Sequence, residues 1–203
     1  MERIQSLIRP GEAKLLQIAV LNVLGQFSGK CTICEIGSFN GASTVVMANT
    51  IKRKKRKNCK IYAIDPHEGN LGDLYKSKHS STFDVFQKNI KDYEVADYIV
   101  PIVEKSCDVQ WSQRIHLLFI DGLHDYDNVR HDFEKFDPFV VENGFVCMHD
   151  YNNNIYPDVT EYVNNTVLPL LKYLVVAIDD TMVVLKKTAN FFTNRRLVGL
   201  ETN

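Results

Sequence analysis

Four ionisable residues sit where two apolar runs end. FIDGLHDYDNVRHDF, residues 119 to 133, passes from an apolar run into Asp121 and then His124, and GFVCMHD, residues 144 to 150, ends in His149 and Asp150. If the two runs are neighbouring strands, about 4.8 Å apart, Asp121 and Asp150 converge on one cation. Carboxylates and water suit Mg2+, Mn2+ or Ca2+, and a nitrogen from His149 shifts the preference toward Mn2+ or a related metal. The alternative is that His149 and Asp150 only hydrogen-bond loop backbone. His124, with an ordinary pKa near about 6.5, suits a general base; a solvated surface histidine is the alternative. Of the remaining histidines, His131 reads as solvent-facing and His116 as structural, while His67 stays a candidate beside Asp65.

A second constellation precedes it. In EIGSFNGAST, residues 35 to 44, Gly37 and Gly41 bracket a tight turn into a helix. Lacking Cβ atoms, they let backbone approach a ligand closely. The Gly-x-x-x-Gly spacing is neither that of a dinucleotide site nor that of a P-loop. It points to a nucleoside-like or amino-acid-bearing ligand, with an ordinary strand-to-helix turn as the plain alternative. Asp65 ends KIYAID, where a carboxylate can accept from both hydroxyls of a ribose or, as Asp-Pro, start a turn. Ser106 in VEKSC suits an adenine edge or a helix N-cap.

The elements that must position these residues alternate. Helical spacing runs over 11–27, followed by a strand CTICEIG, a helix from Ala42, a strand at 60–65, a helix SSTFDVFQKNIKDY, and strands at 97–103 and RIHLLFID. A helix near 125–137 and the strand at 144–150 come next, then a helix that Pro169 should distort. YLVVAID and TMVVLKK read as an antiparallel hairpin around Asp179 and Asp180. Strand–helix alternation means an α/β fold with a mostly parallel sheet and helices on both faces, which binds ligands beyond the carboxyl ends of its strands.

Composition limits the function classes. The chain has 203 residues and a net charge of −1, which fits one domain and gives no reason to expect nucleic-acid binding. The basic run Lys52 to Lys57 reads as the solvated end of a helix, with a nucleic-acid or nuclear-localisation patch as the alternative. Cys31 and Cys34 have Cys-x-x-Cys spacing, but three apart on a strand they face opposite ways. The cysteines therefore read as buried free thiols in a reducing, cytoplasmic compartment. The polar N-terminus does not read as a signal peptide, and no apolar run reaches membrane-spanning length.

Taken together, CEIGSFNGAST, YAIDP and the long stretch from FIDGLHDY to MHDY resemble class I S-adenosylmethionine-dependent methyltransferases over about residues 30 to 187. More narrowly, the stretch is similar to metal-dependent sugar O-methyltransferases of the macrocin type. The resemblance implies a single domain over 1–203: an N-terminal helical segment (1–29), a Rossmann-like doubly wound core (30–187) and a tail (188–203). Its sheet would be seven-stranded and mostly parallel, with an antiparallel last strand. It implies S-adenosylmethionine and Mg2+ (or Mn2+) as cofactors and a small-molecule or glycan acceptor. Glu35, Gly37, Ser38, Asn40 and Gly41 would hold the methionine part, Asp65 the ribose and Ser106 the adenine border. Asp121, also beside the cofactor, would bind metal with Asp150 and with His149, and His124 would deprotonate the acceptor hydroxyl. Two residues depart from the pattern: Asn143 replaces a glycine, and His149 stands where some relatives carry an acidic ligand. Related enzymes also imply a homo-oligomer. A small-phenol methyltransferase, a nicotinamide-dependent oxidoreductase and a non-catalytic Rossmann-like protein are the rival readings. The acceptor-facing loops are expected at 66–82, with Tyr75, and at 151–158, with Tyr151, Asn152 and Tyr156.

Overall fold

The computed structural model describes residue 4 and residues 8–68 and 82–188. Seven strands form one sheet: β1 (Cys31–Ile36), β2 (Cys59–Ile64), β3 (Ile99–Ile102), β4 (Ile115–Ile120), β5 (Val140–Met148), β6 (Tyr173–Asp179) and β7 (Met182–Lys187). Their order is β3-β2-β1-β4-β5-β7-β6. Pairing is parallel from β3 to β5, and β7 runs antiparallel to both of its neighbours. Every residue of β1 and β4 is buried. Such continuously buried strands belong at the centre of a sheet covered on both faces.

The helices are α1 (Pro10–Gln26), α2 (Ala42–Arg53), α3 (Phe83–Asp92), α4 (Tyr126–Phe136) and α5 (Pro157–Tyr162). On one face, Leu16, Met47, Ile51 and Phe86 of α1 to α3 pack on Ile33, Ile61 and Leu117. On the other, Phe133, Phe136 and Tyr162 of α4 and α5 pack on Cys34, Leu118 and Val146. Each such side chain contributes about 1.5–3 kcal/mol by leaving water. Cys31 falls in the first core and Cys34 in the second, so the Cys-x-x-Cys pair cannot chelate one ion. All five cysteines are free; Cys31, Cys34, Cys59 and Cys147 are buried and Cys107 is exposed.

Two local features differ from the sequence reading, and a third follows it. β5 begins at Val140 rather than Gly144: Val140 pairs with Ile115, and regular pairing resumes at Phe145 opposite Leu117. Asn143 takes a left-handed backbone there (φ 62), a conformation asparagine tolerates, so it replaces a glycine without breaking the strand. The basic run is not wholly solvated. Arg56 donates to the carbonyls of Leu24 (2.7 Å) and Phe27 (2.6 Å), tying the end of α2 to that of α1. Ahead of Pro169, α5 widens into a π-turn over Val163–Val167 and then tightens into a 3-10 turn over Leu168–Leu170, the expected distortion. No helix among the described residues is long and apolar enough to cross a membrane.

Candidate active site

The parallel ladder continues one step past the strands and sets the functional residues in a row. Asp65 N–H donates to Ile102 O (3.1 Å), Gly37 N–H to Ile64 O (2.9 Å), Asp121 N–H to Ile36 O (2.9 Å) and His149 N–H to Ile120 O (3.0 Å). The row lies where strand order turns back between β1 and β4, the place where open α/β sheets bind ligands. A cavity of about 540 Å3 opens there, within the range of small-molecule sites.

The β1–α2 turn forms one wall. Gly37 (φ 84) and Gly41 (φ 83) both need the left-handed region. A Cβ on Gly37 would stand 2.0 Å from the carbonyl oxygen of Asp121, so the two strand ends touch only because glycine is there. Asp65 clamps the turn: Oδ2 accepts the N–H of Phe39 and Oδ1 that of His67, each at 2.7 Å. A carboxylate has about four lone-pair sites, so acceptor capacity remains toward the cavity. Turn starter and ligand acceptor are thus compatible roles. Ser38 is 2% exposed, lines the cavity, and its Oγ has no hydrogen-bond partner. An orphaned buried hydroxyl costs about 1–3 kcal/mol, which a polar ligand would recover. Asn40 and Ser43 stand on the same wall.

The second constellation is an interlocked cluster. Asp121, His124, His149 and Asp150 offer ligand atoms that all lie within 4.8 Å of one another. His149 Nδ1 is 3.0 Å from both Asp121 Oδ1 and Asp150 Oδ2. His124 Nε2 stands 2.8 Å from Asp150 Oδ2 and 3.8 Å from Asp121 Oδ1, at ion-pair distance but without a hydrogen bond. Burial favours the neutral imidazole, yet the two carboxylates outweigh it and hold His124 up at about 9. Burial opposes the charge on His149 too, but Asp121, Asp150 and Glu12 raise it strongly. Burial alone would raise the two aspartates, and the histidines instead hold Asp121 and Asp150 below the usual range. Asp150 also takes a left-handed backbone (φ 59), a strained conformation of the kind found at functional sites. A donor set of two carboxylates and two imidazoles fits a divalent metal, manganese as well as magnesium.

Most of the expected residues meet at this cavity; Glu35, His67, Tyr151 and Asn152 stand elsewhere, and a Cβ on Gly41 would face Phe86 rather than the cavity. Glu35 is fully buried behind the wall, its carboxylate accepting from Ser43 and Thr44, each at 2.5 Å. Burial pushes that carboxyl up to about 8. His67 packs between Phe83 and Phe86, off the cavity wall. Tyr151 is buried, and its hydroxyl donates to Asn164. His116 accepts from Thr32 N–H, as a structural histidine should. Tyr156 does face the site, stacked on His124 with ring centroids 4.2 Å apart. Ser106 lines the cavity near Asp132, in a turn that opens no helix, so it is not a helix cap. Tyr75 and most of the 66–82 loop lie outside the described residues.

Two site residues escaped sequence reasoning. Asp132 is 3% exposed on the cavity wall, and burial pushes its carboxyl up to about 6. Its signal was its place on the apolar stripe of α4 with Val129, Phe133 and Phe136. Glu12, fully buried in the first turn of α1, meets His149 Nε2 at 3.1 Å. Its spacing after Arg9 looks like a local cap, which hides the longer contact.

The family described as "Methyltransferase domain" matches residues 34–151, which include both constellations. An uncharacterised protein of Acanthamoeba polyphaga mimivirus is 32% identical over 145 residues, 67% of this chain; the chain spans 59% of that relative's length. Among solved structures, the O-methyltransferase NovP superposes with a TM-score of 0.77 at 15% identity, over 91% of this chain and 82% of that one. CalS11, a TDP-rhamnose 3'-O-methyltransferase of calicheamicin biosynthesis, gives 0.66 at 14% identity, over 88% and 81%. At these identities the likeness is one of fold. With more than half of its length inside the family match and its sheet in the family's arrangement, the chain belongs to the methyltransferase-domain family, on the Rossmann-like fold of class I S-adenosylmethionine-dependent methyltransferases.

Proposed function

We propose that the chain transfers a methyl group from S-adenosylmethionine to a hydroxyl of a sugar, glycan or glycosylated natural product, with help from a divalent metal. The observation that carries the reading is the meeting of the Gly37–Gly41 turn and the Asp121–His124–His149–Asp150 cluster in one cavity. Gly37, Ser38, Asn40 and Gly41 would hold the methionine end, with the Ser38 hydroxyl gaining a partner. Glu35 would act from behind, by fixing Ser43 and Thr44. Asp65 would take the ribose hydroxyls with its remaining lone pairs, and Ser106, on the cavity wall near Asp132, would border the adenine. When bound, the sulfonium would supply an electrophilic methyl, and Asp121, Asp150 and His149 would hold a cation able to acidify and orient a hydroxyl.

His124 is the proton acceptor in this reading. Its pKa near 9 reflects two unneutralised carboxylates. With a cation held on those carboxylates the His124 ring would lose that pull and would accept a proton at neutral pH. The rest of the rate comes from positioning. The Tyr156 ring beside His124 suits the apolar face of a sugar, and the name of CalS11 supports a sugar acceptor. The same ring would suit a phenol. Labelled S-adenosylmethionine incubated with nucleotide sugars, glycosides and catechols, in Mg2+, Mn2+ or chelator, separates the readings. Chelator-sensitive transfer to a sugar hydroxyl is expected. Transfer to catechols alone would favour the phenol reading, and chelator-insensitive transfer would remove the metal.

A further inference from the structure

One fully buried carboxylate has no part in the chemistry above. Glu12 lies behind the cavity wall, and three elements anchor it. Its Oε2 accepts the N–H of Arg9 at the cap of α1 (2.8 Å). Its Oε1 accepts the N–H (3.2 Å) and the hydroxyl (2.6 Å) of Thr181 at the start of β7. The remaining neighbour is His149 Nε2, 3.1 Å from Oε2 at the end of β5. A carboxylate that already serves these donors is an acceptor only, so Nε2 must carry a hydrogen. The ring is then fixed in orientation. Its Nδ1 faces the other way, into the cluster, 3.0 Å from Asp121 Oδ1 and 3.0 Å from Asp150 Oδ2; these acceptors put a hydrogen on Nδ1 as well, the one that a cation held by the two aspartates would replace. A histidine that gives one ring N–H to a carboxylate and presents its other nitrogen to an ion is the arrangement that orients metal-binding histidines.

We infer that Glu12 is a positioning residue: it holds His149 with Nδ1 as a nitrogen ligand and so biases the site toward Mn2+ over Mg2+. The inference rests on the metal assistance proposed above. Oxygen-only sites suit Mg2+, and an imidazole donor favours the later divalent metals. Glu12 never touches the ion. It acts through the ring, from an element far away in sequence.

Mn2+ binding read by the loss of the free-ion electron paramagnetic resonance signal tests this, with Mg2+ as competitor. Glu12→Gln should weaken Mn2+ binding by about 10- to 100-fold and narrow the preference over Mg2+. Its binding of S-adenosylhomocysteine should persist, which shows that the variant is folded. In the wild-type chain, 15N resonances of the His149 ring should show the hydrogen on Nε2, a readout that does not depend on the variant folding. Unchanged Mn2+ affinity and preference in Glu12→Gln, or an Nε2 without hydrogen, would overturn the inference. A wild-type chain that binds S-adenosylhomocysteine but no Mn2+ would overturn it together with metal assistance, leaving methyl transfer standing. Mn2+ binding without S-adenosylhomocysteine binding would do the reverse.

Discussion

Gly37→Ala would place a methyl group inside another strand's backbone. The Cβ would lie 2.0 Å from the Asp121 carbonyl oxygen and 2.5 Å from its carbon. Both are main-chain atoms, so no rotamer change relieves the contact. The Asp121 N–H is meanwhile held by Ile36 O at 2.9 Å, which resists a sideways shift. Alanine at φ 84 adds about 1–2 kcal/mol of left-handed strain, and overpacking about 1–3 kcal/mol. The expected loss is therefore about 2–5 kcal/mol, a large part of the roughly 5–15 kcal/mol that holds a domain together. Moving Asp121 also disturbs the cluster, so S-adenosylhomocysteine affinity should fall with stability. Urea unfolding followed by circular dichroism gives the first quantity and calorimetry the second. Gly29→Ala is the control, because its Cβ would meet nothing within 4 Å; a change within about 0.5 kcal/mol is expected. A Gly37→Ala loss below about 1 kcal/mol with unaltered ligand affinity would refute the close-approach argument.

Further perturbations separate chemistry from scaffold. His124→Ala should lower turnover by about 10^2- to 10^4-fold while S-adenosylhomocysteine affinity holds, and unchanged turnover would remove His124 from the mechanism. Asp137, far from the cavity, binds Lys172 (2.5 Å), Lys187 (3.2 Å) and the Tyr173 hydroxyl (2.6 Å). Burial would raise its pKa, but Lys172, Tyr173 and Lys187 outweigh burial and lower it. Because its folded pKa lies below its unfolded one, this stabilisation is full above the unfolded value, near about 3.9, and is lost as pH falls through the folded one. Asp137→Asn should cost about 3 kcal/mol at pH 7 and progressively less in acid; a pH-independent difference would contradict the assignment.

Local signals made the frame readable. The mostly apolar runs of β1 and β4, the glycines around the turn and the acids at the strand ends all obey short-range rules, and each stands close to its expected place. Asn143 deceived only the boundary of β5, because its left-handed backbone reads as a turn while pairing with Ile115 has already begun. Residues whose role depends on distant partners were harder to read. Glu12 looks like a helix cap until β5 and β7 bring His149 and Thr181 to it. Asp132 looks like a polar interruption of α4 until Ser106 is beside it. Glu35 and His67 sit in the right segments but turn into Ser43, Thr44 and a phenylalanine pair, since a strand end does not tell which side chain faces the cavity.

The central claim is that the row Gly37, Asp65 and Asp121 makes the cavity an S-adenosylmethionine site. Calorimetric titration with S-adenosylhomocysteine, with and without Mg2+ or Mn2+, tests it most directly. The account predicts binding at about micromolar Kd, roughly −8 kcal/mol, abolished in an Asp65→Ala chain that remains folded. No binding by the wild-type chain under any of these conditions, or equal binding by Asp65→Ala, would contradict it.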